Sequence, residues 1–92
     1  MTPAQAHMER IAAMPCICCR LLGMKQESKT CVHHIREDRE ARNDFLTLPL
    51  CHTCHQSGIG VHGDKTYLQM LKTSEWGLLA KVIEELENDR TN

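Results

Sequence analysis

Large rings are scarce in this sequence: its 92 residues include one Phe, one Tyr and one Trp. Phe45, Tyr67 and Trp76 are all that is available for a core built on aromatic bulk, and a chain this short buries too little surface for packing alone to hold it comfortably. Some other staple is required. Charge of one sign is lacking too. Eleven Lys and Arg against 12 Asp and Glu leave a formal net charge of -1, so any binding to nucleic acid must rest on local basic groups and bound metal. No apolar run approaches membrane-spanning length, and Glu9 and Arg10 precede any sustained apolar stretch, an order unlike that of a secretory signal. The expectation is a cytoplasmic protein with no membrane association.

What the sequence has instead is six cysteines and six histidines. In a reducing compartment, closely spaced cysteines read as metal ligands rather than as disulfides. Cys16-x-x-Cys19 and Cys51-x-x-Cys54 are two knuckles of the kind that share one tetrahedral structural Zn²⁺, because two intervening residues let both sulfurs of a pair reach the same ion. Cys18 competes with Cys16 or Cys19 for a place in that site, although pairing it with Cys16 leaves only one residue between them. Cys31 falls on an expected strand and reads as a small core residue.

Local patterning implies an α+β fold in one domain, residues 1 to 92. Thr2 and Pro3 open an N-terminal helix over about residues 3 to 13, within a segment 1 to 14. Residues 15 to 63 form the zinc-stapled core. Within it, Cys18 to Leu22 and Thr30 to Ile35 read as two strands of a hairpin, and residues 36 to 44 as a charge-dense polar loop. Phe45 to Leu50 leads into the second knuckle, and Gly58, Gly60 and Gly63 surround His62 in a flexible loop. Residues 64 to 92 carry the C-terminal helices. One runs from Lys65 to Lys72 with Asp64 as its cap. A longer one starts at Ser74 and carries Leu79, Val82, Ile83 and Leu86 on one stripe.

One zinc takes four ligands, and the cysteines supply them. His33, His34, His55 and His62 therefore read as a separate centre, which a plain zinc finger does not have. Adjacent side chains on a regular strand point to opposite faces, so His33 and His34 share one site only where the strand ends or bulges.

Val32-His33-His34-Ile35 resembles the Asp-His-Ile signature of HNH endonucleases, with histidine in place of the aspartate, and Asp44 through Pro49-Leu50-Cys51-x-x-Cys54-His55 is similar to the second half of that motif. Together with Gly60-Val61-His62-Gly63, this order resembles phage-encoded nucleases of the recombination-enhancement, RecA-dependent group, over about residues 8 to 86. The resemblance implies a ββα-metal fold and a DNA phosphodiesterase. It places His34 as general base and His33, His55 and His62 as ligands of a catalytic Mg²⁺ or Mn²⁺. Asn43 and Asp44 are rival candidates for the polar residue that supports the base.

Arg36, Arg39 and Arg42 are candidate DNA contacts, with Arg20, Lys25 and Lys29 nearby, and the alternative for all of them is an ordinary solvated charged face. The expected activity is divalent-metal-dependent endonucleolytic cleavage in phage recombination or repair, inside a bacterial host. A recombinase filament is a possible partner. The competing reading is a non-catalytic zinc-binding adaptor for DNA or a recombination protein.

Overall fold

The computed structural model describes residues 1–35, 42–56, 60–61 and 65–91, with the side chains of residues 90 and 91 left aside. Helix α1, Pro3–Ala12, starts on a capping box. Thr2 Oγ1 accepts from the Gln5 amide at 3.1 Å and Gln5 Oε1 accepts from the Thr2 amide at 2.8 Å, satisfying two amides that the helix leaves without partners. Ile11 is its buried anchor.

The segment expected as a first strand is instead helix α2, Ile17–Leu22. Cys16 sits at its N-cap, and its sulfur accepts from the Cys19 amide at 3.4 Å, as a serine oxygen does at other helix starts. Gly23 closes the helix in the left-handed region at φ 70°, where a Cβ is disfavoured. Gln26 then ties the knuckle to the next element. Its Oε1 accepts from the Cys16 amide at 2.7 Å, and its Nε2 donates to Ser28 O and Thr30 Oγ1 at 2.8 and 2.9 Å. Truncating Gln26→Ala leaves the buried Cys16 amide without that acceptor, so urea denaturation should show a loss of about 1–3 kcal/mol. An unchanged midpoint would mean that water replaces the side chain.

Strand β1 is Thr30–His34 and strand β2 is Thr47–Cys51, paired antiparallel from Thr30 opposite Cys51 to His34 opposite Thr47. The hairpin thus joins the first histidine pair to the second knuckle. Ile35 donates to Leu46 O at 2.8 Å in the same register, which makes Val32 and Pro49 a non-hydrogen-bonded pair. Pro49, lacking an amide hydrogen, interrupts no ladder bond there.

Helices α3 (His52–Gln56), α4 (Thr66–Leu71) and α5 (Glu75–Thr91) follow. Lys65, in the left-handed region, precedes α4, and no side chain caps it; Asp64 lies outside the described residues. Ser74 Oγ accepts from the Gly77 amide at 3.3 Å at the start of α5. The buried stripe of α5 is Leu78, Val82 and Leu86, while Ile83 is exposed. Residues 78/79 and 82/83 are one helical step apart, and docking selected the earlier member at the first pair and again at the second.

The core is aliphatic. Ile11, Ile17, Ile35, Leu48, Leu50, Leu78 and Val82 are fully buried around the cysteines. Of the three large rings only Tyr67 is buried. Phe45 is 50% exposed and Trp76 36%. Among the described residues no helix is long and apolar enough to cross a membrane.

Candidate metal centre and active site

The four knuckle cysteines come from three elements. Cys16 and Cys19 frame the first turn of α2, Cys51 ends β2, and Cys54 lies in α3. Their sulfurs all lie within 4.8 Å of one another, and all four residues are buried. Cys19 Sγ is 3.6 Å from Cys51 Sγ and 3.7 Å from Cys54 Sγ. A tetrahedron of thiolates about 2.3 Å from one ion has edges of about 3.8 Å, close to the two distances from Cys19, so the quartet could hold a metal such as zinc. Cys18, though buried, is not one of the four, and half-buried Cys31 turns its sulfur toward Lys29 O. Of the three cysteines around the start of α2, the sulfurs of Cys16 and Cys19 are the two that converge with those of Cys51 and Cys54. The N-cap and first turn of α2 present Cys16 and Cys19 together.

Gly60 packs on the second knuckle so closely that a Cβ there would lie 2.7 Å from Cys54 O. The Val61 amide donates to that same oxygen at 2.8 Å.

Crowding favours the protonated thiols of Cys16, Cys19 and Cys54 when no ion is present. Burial, then the charge of Cys16, pushes the Cys19 thiol up from 9.0 to about 12, and a hydrogen bond with Cys54, then burial, raises Cys16 as well. Below those values each thiol must give up its proton to become a ligand, so zinc uptake releases protons. Apparent zinc affinity should therefore rise with pH across pH 6–8 and fall on acidification. A chelator competition titration at several pH values checks this, and a flat profile would contradict it.

The histidines lie on two sides of β1. No bulge interrupts the register, so the pleat sends His33 and His34 to opposite faces. His33 is buried, its Nε2 in contact with Glu75 Oε1 at the first residue of α5. Its ring meets that of His55, on α3, edge to face at 75° with centroids 4.9 Å apart. His34 lies on the other face, and its Nε2 is 2.9 Å from Asp44 Oδ1. Arg42 Nε is 3.7 Å from the same oxygen.

Of the two rivals for the position beside His34, Asp44 is the one in contact. Asn43 Oδ1 accepts instead from the Phe45 amide at 2.9 Å, and Thr47 Oγ1 donates to Asp44 O at 3.2 Å. These bonds shape the turn that presents Asp44. His62, Arg36 and Arg39 lie outside the described residues. Arg42 is exposed beside Asp44, whereas Arg20 pairs with Glu85 at 2.9 Å.

An ionised carboxylate only accepts hydrogen bonds, so a neutral imidazole in either pair carries its proton on Nε2 and its lone pair on Nδ1. That arrangement suits His34 to take a proton and His33 to act as a ligand. Among the described residues the cysteine quartet is the one group of three or more ligands whose donor atoms all converge.

Sequence reasoning missed Glu75, which is 5% exposed. A signal existed. Residues 75, 78, 82 and 86 follow helical spacing, so a carboxylate heads the apolar stripe of Leu78, Val82 and Leu86.

A model of the family described as recombination enhancement, RecA-dependent nuclease matches residues 2–86. No curated protein and no solved structure matches the chain.

Proposed function

The chain belongs to the recombination enhancement, RecA-dependent nuclease family, and on that premise we propose that it is a divalent-metal-dependent DNA endonuclease of the HNH type. It would act in phage recombination or repair, on DNA engaged by a recombinase filament. The observation that carries the catalytic part of this reading is the 2.9 Å contact between His34 Nε2 and Asp44 Oδ1. The chain order supports the fold assignment: a strand ending in paired histidines, an antiparallel partner, then a helix bearing His55.

Hydrolysing a phosphodiester needs a base for the attacking water and stabilisation of charge on the phosphoryl and leaving oxygens. Asp44 accepts the Nε2 proton of His34, fixes the ring's tautomer and leaves Nδ1 to take the proton from water. The carboxylate then stabilises the imidazolium that forms. His33 and His55, on the face of β1 opposite His34, would hold the catalytic ion together with His62, so base and ion would meet the scissile phosphate only around the end of the strand. These borderline nitrogen donors accept Mn²⁺ more readily than Mg²⁺. When bound, the ion supplies Lewis-acid stabilisation of the phosphoryl and leaving oxygens. Arg42, exposed beside Asp44, is placed to meet a phosphate flanking the cut, with Arg36 and Arg39 as further candidates. Asn43 shapes the turn and does not take part.

Supercoiled plasmid paired with recombinase-coated single-stranded DNA tests the reading, with Mg²⁺, Mn²⁺ or neither added. Cleavage is expected only with a divalent ion, and more of it on the filament than on bare plasmid. No cleavage in any arm would replace the enzyme with a zinc-binding adaptor.

A further inference from the structure

Glu75 is a carboxylate where an apolar residue would pack better. It is 5% exposed, it heads the stripe that buries Leu78, Val82 and Leu86 against the core, and its partner is His33 Nε2, 42 positions earlier in the chain. A buried charge is costly even when paired, and a well-packed apolar replacement is often neutral or stabilising. Stability alone therefore gives little account of an acid at this place.

The geometry gives a better one. A neutral imidazole facing an ionised carboxylate donates its Nε2 hydrogen and keeps its lone pair on Nδ1, which is the tautomer the Glu75 contact favours for His33. The ring is thereby held in one tautomer and one plane, with the His55 ring edge-on to it at 75°. A carboxylate behind a ligating imidazole orients the ring and raises its basicity toward a cation. We propose that Glu75 is the positioning residue of the catalytic metal centre, holding His33 so that it ligates the divalent ion through Nδ1. This rests on the reading of His33 as a ligand given under the proposed function. Glu75 is assigned to act through His33 because its Oε1 is engaged by His33 Nε2, and Glu75, His33 and His55 do not form a group whose donor atoms all converge as the four sulfurs do.

The test is Mn²⁺ affinity of protein carrying one zinc, read from the electron paramagnetic resonance signal of free Mn²⁺, for wild type, Glu75→Gln, His33→Ala and the double variant. Zinc content and thermal unfolding are followed alongside. Wild type is expected to bind one Mn²⁺, and Glu75→Gln to bind it about 10–100-fold more weakly. The double variant should be no weaker than His33→Ala alone, because a residue acting through His33 has nothing left to act on. Additive losses would overturn the assignment by making Glu75 an independent ligand. A lowered melting temperature with unchanged Mn²⁺ affinity would overturn it by making the role structural.

Should Glu75→Gln fail to fold, Glu75→Asp draws the carboxylate back by one methylene while keeping its charge. It should weaken Mn²⁺ binding likewise, and unchanged affinity would count against the assignment. A wild type that binds no Mn²⁺ overturns the metal reading and this inference together. Wild-type binding with unaffected variants overturns the role of Glu75 alone.

Discussion

Stripping zinc from the four-cysteine centre is expected to cost the protein its tertiary structure. The four sulfurs join α2, β2 and α3, elements that share an aliphatic core with Tyr67 as its one buried large ring. A domain of this size is held by about 5–15 kcal/mol in total, and a structural zinc site contributes an apparent 10–16 kcal/mol at neutral pH. The metal contribution is comparable to the whole net stability. Chelation should therefore abolish the cooperative thermal transition and collapse near-ultraviolet circular dichroism, and Cys51→Ser should give the same result without chelator. Zinc analysis of the purified protein should return one ion per chain. A metal-free protein that still melts cooperatively within a few degrees of the loaded one would show that the quartet is a set of packed thiols.

The second large effect separates chemistry from folding. His34 has a side chain 13% exposed, and its hydrogen-bond partner Asp44 is 38% exposed, so truncation leaves no deeply buried group without a partner. His34→Ala should keep the zinc, the circular dichroism spectrum and a melting temperature near that of wild type. A positioned general base contributes about 10²–10⁴-fold to rate. Cleavage by the variant should fall by that much while DNA binding, measured by fluorescence anisotropy, stays within about twofold.

What could be read from the residues alone was whatever is local. The two Cys-x-x-Cys knuckles announce a tetrahedral site by spacing, and Thr2-Pro3 and Ser74 announce helix starts by side-chain chemistry. The structure brings the four knuckle sulfurs together and starts α1 and α5 at these residues. Cys18 to Leu22 misleads because a short apolar run suits a strand or a helix equally. The deciding feature is a sulfur acting as N-cap at Cys16, a role that usually falls to oxygen. The partner of β1 is not local either. Its partner is β2, paired from His34 opposite Thr47 to Thr30 opposite Cys51, while Cys51 also ties β2 to α2 through Cys19.

The candidate site divides in the same way. Its histidines are visible as a group of residue types, but the regular pleat assigns His33 and His34 to different faces and gives each its own carboxylate. Asp44 prevails over Asn43 because Asn43 is used up in the turn. Glu75 arrives from the far end of the chain, and at a helix start an acid looks like an ordinary response to the helix dipole. Only its burial shows otherwise.

The central claim is that this chain cuts DNA using His34 as base. The most direct test is single-turnover cleavage of a plasmid carrying a recombinase filament, with Mn²⁺ present, by wild-type and His34→Ala proteins each shown to carry one zinc. The account predicts nicked or linear product from wild type and a rate at least about 100-fold lower from the variant. Equal rates from the two proteins, or no product from either, would contradict it.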